Sequence, residues 1–489
     1  MATKAREGEA SSSSSSSSAP AYPDRTFDTI VLPTDSDLVT FSDPSSSNEP
    51  LRRARLAAAG PTTTSSLREA SSALRQDLPV AFPTETVYGL SANALSSSAC
   101  KAIFAAKGRP QDNPLIVHVC DLEMAEEIVA EGWVPPPCYE ELMRRFWPGG
   151  ITFLMPAARP GVTYSDQSSS SSWFQGKGTS PLPLLVTSNH PLVGIRMPSH
   201  PLARALIAHS RLPLAAPSAN ASGRPSPTTA QHVLHDLKGR IPYVLGGGAS
   251  SQGVESTVVD GVTEPGELRV LRPGAVSPEE IEECLSGLSG EGAVRLRVYG
   301  RDMVRQEAFE AAPTTPGMKY RHYSPTAPVV VFVPSKEARY AKAAANGGSS
   351  SIAGWSQALS KEVQALVAAK PDLLDGKASV HVGLMLLTDS ALAQAMFAPE
   401  EAEMAAATGP AFPLSLDDGS QAHILIQPFS LGRLSQPHLP ARRLFSGLRS
   451  LDEGGVNLIV VEAVEEKGIG LAVMNRVGKA AGGTVAVSV

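Results

Sequence analysis

The chain has 489 residues, a formal net charge of −6 and four cysteines. That length exceeds a single hydrophobic core and implies at least two domains, while the acidic balance argues against a surface that binds nucleic acid non-specifically. Cys100, Cys120, Cys138 and Cys284 form no Cys-x-x-Cys pair and have no metal-ligand spacing, so free thiols in a reducing compartment and no protein metal site are expected.

Residues 1–24 are dominated by the run Ser11–Ser18, which buries no apolar surface and is expected to be disordered. Lys4 and Arg6 are mixed there with Glu7 and Glu9, a poor match to a transit peptide. A cytoplasmic location is favoured, and a mitochondrial pool is left open. No apolar run reaches the length of a membrane-spanning helix, so no membrane association is expected.

From residue 25 to 300 strand-like and helix-like segments alternate, the pattern of an α/β domain with a covered sheet. Predicted strands are Val80–Phe82, Leu115–Val119, Ile151–Met155, Val193–Met197, Leu214–Ala216, Tyr243–Leu245, Ser256–Val259 and Arg269–Leu271. Helical spacing predicts Ser97–Lys107, Asp121–Glu131, Tyr139–Phe146, Pro201–His209 and Thr228–Leu237. The Ser- and Gly-rich stretch Ser165–Pro183 reads as an inserted surface loop. Residues 301–327 form a linker whose Lys319-Tyr320-Arg321-His322-Tyr323 suits docking more than free motion. Residues 328–489 read as a second, smaller α/β domain, with strands at Val329–Val333, Gly383–Leu387, Ile424–Ile426 and Val456–Val461. Its helices are predicted at Ser335–Ala345, Ser356–Ala369, Ala441–Leu451 and Leu471–Ala481.

The chemistry-bearing residues gather at strand ends and in the loops beside them. Lys107 and Arg109 end a helix and lead into a proline-bounded loop carrying Asn113. They read either as phosphate or carboxylate ligands or as cations favoured at a helix C-terminus. His118 alternates with Val117 and Val119 and alone would be a core histidine. Arg196 follows Val193-Gly194-Ile195, and a buried arginine requires an anion, from the protein or from a ligand. Arg272, in Val270-Leu271-Arg272-Pro273, repeats the argument. Few acidic residues lie near these arginines in sequence, which favours a polyanionic ligand. Pro217–Gly223 and Pro225–Thr228 offer hydroxyls and backbone N–H groups for phosphate or amino acid, although Ser226 and Thr228 also suit helix caps.

No Gly-x4-Gly-Lys-Ser/Thr, strand-linked Gly-x-Gly-x-x-Gly, His-Glu-x-x-His or Gly-x-Ser-x-Gly motif accompanies these groups. Many binding groups without a protein nucleophile suit catalysis by positioning and electrostatics. An RNA-binding or ribosome-associated factor without catalytic activity is the alternative, weakened by low aromatic content and acidic charge.

These strings resemble the YrdC-like family in its two-domain form. The resemblance rests on Pro83–Leu90, on Lys107-x-Arg109 leading to Asn113–His118, and on Trp147-Pro148-Gly149. It continues in Ile195–Pro198, Pro217–Asn220, Gly253–Thr257, Leu271–Gly274, the linker Pro316–Tyr323 and Asn475-Arg476. It implies a twisted mixed sheet with a concave basic pocket, followed by a smaller Rossmann-like domain. The implied reaction condenses L-threonine, bicarbonate and ATP to threonylcarbamoyl-adenylate and pyrophosphate. Other proteins then transfer the group to the adenosine beside a tRNA anticodon, and direct tRNA contact is left open. By matching motif, Thr86, His118, Arg196, Ala216 and Ser256 would hold threonine, with Arg196 on its carboxylate. Lys107 and Arg109 would be catalytic; Arg109, Asn113, Ser218, Ser226, Arg272 and Tyr323 would face ATP, and Mg²⁺ would travel with the nucleotide. Two positions depart from the family pattern, Gly150 where proline is frequent and Leu192 where threonine is common, and the Ser165–Pro183 insert ahead of the Arg196 strand is a further departure.

Overall fold

A computed structural model of the chain describes residues 26–42, 51–52, 55–164, 173–289, 293–303, 322–334, 349–369, 379–390, 393, 411–415, 421–481 and 483–487. The serine-rich start, the predicted helix Ser335–Ala345 and linker residues 304–321 lie outside the described residues.

Eleven described strands make one mixed sheet. Its order is Ile30–Pro33, Tyr243–Gly246, Val80–Phe82, Gly89–Asn93, Leu214–Ala215, Ile116–His118, Leu192–Arg196, Ile151–Pro156, Thr257–Asp260, Glu267–Arg272 and Arg295–Val298. In its middle, Ile116–His118 runs parallel to Leu192–Arg196 and antiparallel to Leu214–Ala215. That register sets His118 beside Arg196. One face is covered by a core built around Phe104, Tyr139, Leu142 and Phe153, the other by Leu67, Leu74, Leu206 and Ile207.

The predicted helix over Ser97–Lys107 is present with those bounds because both ends are fixed locally. Ser96 Oγ accepts from Ala99 N–H at 3.2 Å. At the other end Gly108 takes a left-handed conformation (φ 59°), so that its N–H and that of Arg109 close onto Ala105 and Phe104 carbonyls. The predicted helix Asp121–Glu131 is shorter: Asp121 caps it, and the helix ends at Ile128, beyond which extended Val129 bridges to Ala157. The helix Pro61–Arg75 and the strands Ile30–Pro33 and Gly89–Asn93 were not anticipated. In Pro61–Arg75, serines and threonines dilute the apolar stripe of Leu67, Ala70, Ala73 and Leu74.

The reading of Ser165–Pro183 as a surface loop is corrected from Trp173 onward. Phe174 is fully buried and meets the Trp133 ring edge-on at 6.3 Å. The Lys177 N–H donates to Glu126 O at 2.7 Å, and Gly176 and Gly178 add further backbone bonds to Trp133 and Val129. Two aromatic rings among serines carry enough apolar area to anchor the segment. A Cβ on Gly176 would stand 2.1 Å from Ala130 O, so only glycine permits this approach.

The second domain has a six-stranded sheet, ordered Ala411–Ser415, Gln421–Gly432, Ser379–Leu387, Leu458–Glu462, Val329–Pro334 and Gly483–Val487. Only the edge pair Ala411–Ser415 and Gln421–Gly432 is antiparallel. Helix Ser349–Ala369 packs on one face; His438–Glu453 and Ile469–Ala480 pack on the other. The core on this second face continues into Val87, Val254 and Tyr323, so it is shared between the domains. Gly253 (φ 77°) lies flat on helix His438–Glu453, where an added Cβ would come within 2.4 Å of Arg442 Cα.

Candidate active site

The central strands end at a cavity of about 770 Å³ counting its open mouth. It is lined by Thr84, Thr86, Lys107, Arg109, His118, Arg196, Ala216, Ser218, Glu255, Ser256, Arg272 and Tyr323, together with nearby loop residues. Of the residues assigned by matching motif to threonine, ATP or catalysis, only Asn113 and Ser226 fall outside this lining. Asn113 is buried, with its Oδ1 free of hydrogen bonds among the described residues. Ser226 is fully buried and donates to Glu255 Oε1 at 2.6 Å.

One end of the cavity is built on the turn after Val80–Phe82. Thr84 Oγ1 donates to Val87 O at 2.6 Å and shares a 2.8 Å hydrogen bond with Thr86 Oγ1. Gly89 follows, where a Cβ would stand 2.8 Å from the Phe82 ring. Thr86 Oγ1 accepts from Arg196 Nη1 at 2.8 Å, while Arg196 Nε donates to Gly149 O at 3.2 Å. Arg196 Nη2 lies 2.5 Å from Glu85 Oε1, and Glu85 Oε2 accepts from the N–H groups of Ser199 and His200. The anion required by Arg196 is therefore supplied at least once by the protein. Arginine has five N–H donors, and these three bonds leave two for a ligand.

His118 is 4% exposed, edge-on to Phe82, with Nδ1 at 3.3 Å from Ile116 O. Burial, then the adjacent Arg196 charge, pushes its pKa down to about 3. It is a neutral imidazole at physiological pH.

At the other end Lys107 Nζ is spent largely on the loop after Leu214–Ala215. It donates to Ser218 O and, at 2.6 Å, to Asn220 O. Burial and the Arg109 charge hold its pKa well below the usual lysine value. Arg109 projects past Phe104, its guanidinium 5.9 Å from the ring centroid, and its Nε has no hydrogen-bond partner among the described residues. Burial lowers its pKa to about 10, opposed by Asp112 and Tyr323 and assisted by Arg272.

Arg272 Nε and Nη2 donate to Ser256 O at 3.1 and 2.9 Å, and Nη2 also reaches Ser256 Oγ at 3.0 Å. Ser256 Oγ shares a 2.8 Å bond with Thr152. Burial lowers the Arg272 pKa to about 10, opposed by Glu255 and Tyr323. Tyr323 (φ 65°) stacks 5.2 Å from Phe445 of the second domain. Burial and Glu255 raise its hydroxyl to about 12, so it remains protonated. Few acidic residues lie near these arginines in sequence, but in the fold carboxylates do approach them. Glu85 is remote from Arg196 in sequence and Glu255 from Arg272, but folding sets both pairs together.

Residues 72–274 match the family model Sua5/YciO/YrdC, "Telomere recombination", and residues 276–482 match "Threonylcarbamoyl-AMP synthase, C-terminal domain". A threonylcarbamoyl-AMP synthase of Schizosaccharomyces pombe is 36% identical over 93% of this chain and 98% of its own length. One from Pyrococcus abyssi is 36% identical over 85% of this chain and 94% of its own. The chain belongs to the two-domain threonylcarbamoyl-AMP synthase family. A crystal structure of P. abyssi Sua5 complexed with L-threonine has the same fold, with TM-score 0.59 and 34% identity, covering 90% of this chain and 98% of that one.

Within this family frame, the two departing positions have simple local roles. Gly150 sits where a Cβ would meet Ala275 Cβ at 2.7 Å, and Leu192, which does not itself line the cavity, packs with Ile116, Leu154, Val258 and Leu271. Sequence reasoning missed Glu85 and Glu255, although both lie inside strings it singled out. It also gave Arg449 no part, and placed Arg476 only by motif. These two arginines reach the site region from the second domain. Among the described residues no group of three or more His, Cys, Asp or Glu side chains is arranged to hold a metal.

Proposed function

We propose that this chain condenses L-threonine, bicarbonate and ATP to threonylcarbamoyl-AMP and pyrophosphate, with each part of the cavity taking one part of the reactants. The observation that carries this reading is the convergence of Arg109, Arg196, Arg272, Lys107 and neutral His118 on one cavity. It is a nucleotidyl-transferring synthase of the tRNA-modification class. Thr86, His118, Arg196, Ser256 and the backbone at Ala216 take the amino acid. The two unused donors of Arg196 meet its carboxylate, and His118, being neutral, leaves the amine free of a second positive charge. Arg109, Ser218, Arg272 and Tyr323 face the nucleotide that brings its own Mg²⁺, with Asn113 and Ser226 behind them.

The threonine amine and bicarbonate form a carbamate with loss of one water, and a carbamate oxygen then attacks the α-phosphate as pyrophosphate departs. No protein nucleophile is needed for that displacement. Arg109 and Arg272 offset the charge that develops on the phosphoryl oxygens and leaving group. Lys107 acts mainly by fixing the Ser218 and Asn220 carbonyls, which shapes the nucleotide loop. Tyr323, held against Phe445, closes the site from the linker side and excludes water. The product is an activated acyl-adenylate for transfer to tRNA by other proteins.

Pyrophosphate release from purified full-length protein with MgATP tests the proposal, omitting L-threonine or bicarbonate in turn. Release that needs both, with an adenylate of the matching mass, is the expected result. Release indifferent to threonine overturns it.

A further inference from the structure

Helix Ile469–Ala480 of the second domain inserts Arg476, fully buried, into the wall behind the cavity. Its Nε donates to Glu255 Oε2 at 3.0 Å, while Nη1 donates to the Pro273 carbonyl. Glu255 precedes Ser256, whose carbonyl and hydroxyl hold the Arg272 guanidinium; Pro273 follows Arg272. One side chain thus grips the chain on both sides of the Ser256–Arg272 contact. The second Glu255 oxygen is taken by Ser226 Oγ at 2.6 Å. Nothing else described from the second domain bonds to this carboxylate.

We infer that Arg476 is a positioning residue for the synthase reaction: it acts through Glu255 and Pro273 to aim Arg272 at the nucleotide, so the ATP side of the cavity is complete only when the second domain is docked. The inference rests on the proposed function above and assigns the second domain a part in it. Burial alone would raise the Glu255 pKa, but Arg476, then Arg272 and Ser226, hold it below the usual carboxylate range. The other groups facing Glu255 are Tyr323, protonated, and His322, whose pKa burial and the charges of Arg109, Lys479 and Lys107 push down to about 4. Neither supplies a replacement cation at neutral pH. Loss of Arg476 therefore leaves a buried carboxylate whose pKa rises, and the site weakens first at the acid end of the pH range.

The test uses the full chain and titration calorimetry with MgATP and, separately, L-threonine. Arg476→Met is expected to raise the ATP Kd at least about tenfold, with the acid limb of ATP binding moved to higher pH, while threonine affinity stays within about threefold. The double variant R476M/E255Q removes the carboxylate charge that Arg476 offsets and should recover thermal stability without recovering ATP affinity. An ATP Kd within threefold of the parent in R476M, or full recovery in the double variant, would make Arg476 a structural ion-pair partner only and overturn the inference. If R476M does not fold, the ATP affinity of the double variant decides by the same threshold. Absence of threonine-dependent pyrophosphate release by the parent protein overturns the synthase reading itself, a different result from unchanged ATP affinity in R476M.

Discussion

Arg196 Nη2 and Glu85 Oε1 lie 2.5 Å apart at the end of the central strands, with Thr86 on the neighbouring Nη1. This pair is buried on both sides, so it carries desolvation as well as attraction. Glu85→Gln removes one charge and leaves Arg196 uncompensated until a ligand carboxylate arrives. The variant should lose about 3 kcal/mol of stability. L-threonine should then raise its Tm by more than it raises that of the parent. Equal threonine-induced shifts in thermal scans would remove Arg196 from the carboxylate site.

Arg109 stands at the cavity with its guanidinium 5.9 Å from the Phe104 ring centroid and its Nε without a hydrogen-bond partner among the described residues. Its removal leaves no described ion pair broken. Arg109→Ala should keep the fold, by circular dichroism, and lower adenylate formation by about a hundredfold or more. Near-parental turnover in the folded variant would sink the catalytic assignment.

His118 links the site to acid stability. Its folded pKa of about 3 is below the unfolded value near 6.5. Between those values the unfolded chain binds a proton that the folded chain refuses. Stability is full above pH 6.5 and falls as pH drops towards 3, by at most about 1.4 kcal/mol per pH unit from this group. His118→Gln should flatten that part of the stability profile in denaturant titrations from pH 7 to pH 4. The same histidine should contribute no ionisation to the pH–rate profile between pH 5 and 8; a limb that disappears in H118Q would contradict a neutral role.

Gly253 measures how tightly the domains are joined. Its positive φ and the Arg442 backbone 2.4 Å from a would-be Cβ make any side chain incompatible with the docked arrangement. Its N–H also donates to Thr86 O at 3.0 Å, so displacement reaches the end of the cavity proposed to take threonine. Gly253→Val should destabilise the protein by about 2 kcal/mol or more. Small-angle scattering should show a larger radius of gyration, and threonine affinity should fall. A compact variant with unchanged Tm would show that the helix His438–Glu453 does not bear on Gly253.

Much of the architecture was legible because local rules wrote it. Ser96 and Gly108 bracket their helix by capping chemistry that a reader sees within a dozen residues. The buried strands announced themselves as apolar runs, and the strings around Lys107, His118, Arg196 and Arg272 were found by residue type and order. The insert was misjudged because Trp173 and Phe174 were outweighed by the surrounding serines, though two rings suffice to anchor a segment. Helix Pro61–Arg75 was missed for the converse reason, a stripe of few apolar residues in a polar background.

By itself the sequence determined the alternation of elements, the caps and turns, and which residue types were available for anion binding. Those depend on interactions between near neighbours. Only the tertiary structure decided the charge pairing. Glu85 found Arg196, and Arg476 found Glu255 from 221 positions away in the chain. Asp236 was claimed by Arg449, whose Nη2 lies 2.7 Å from its carboxylate. A buried charge is satisfied by whatever partner packing brings within bonding distance, and that distance is set by the fold rather than by separation along the chain.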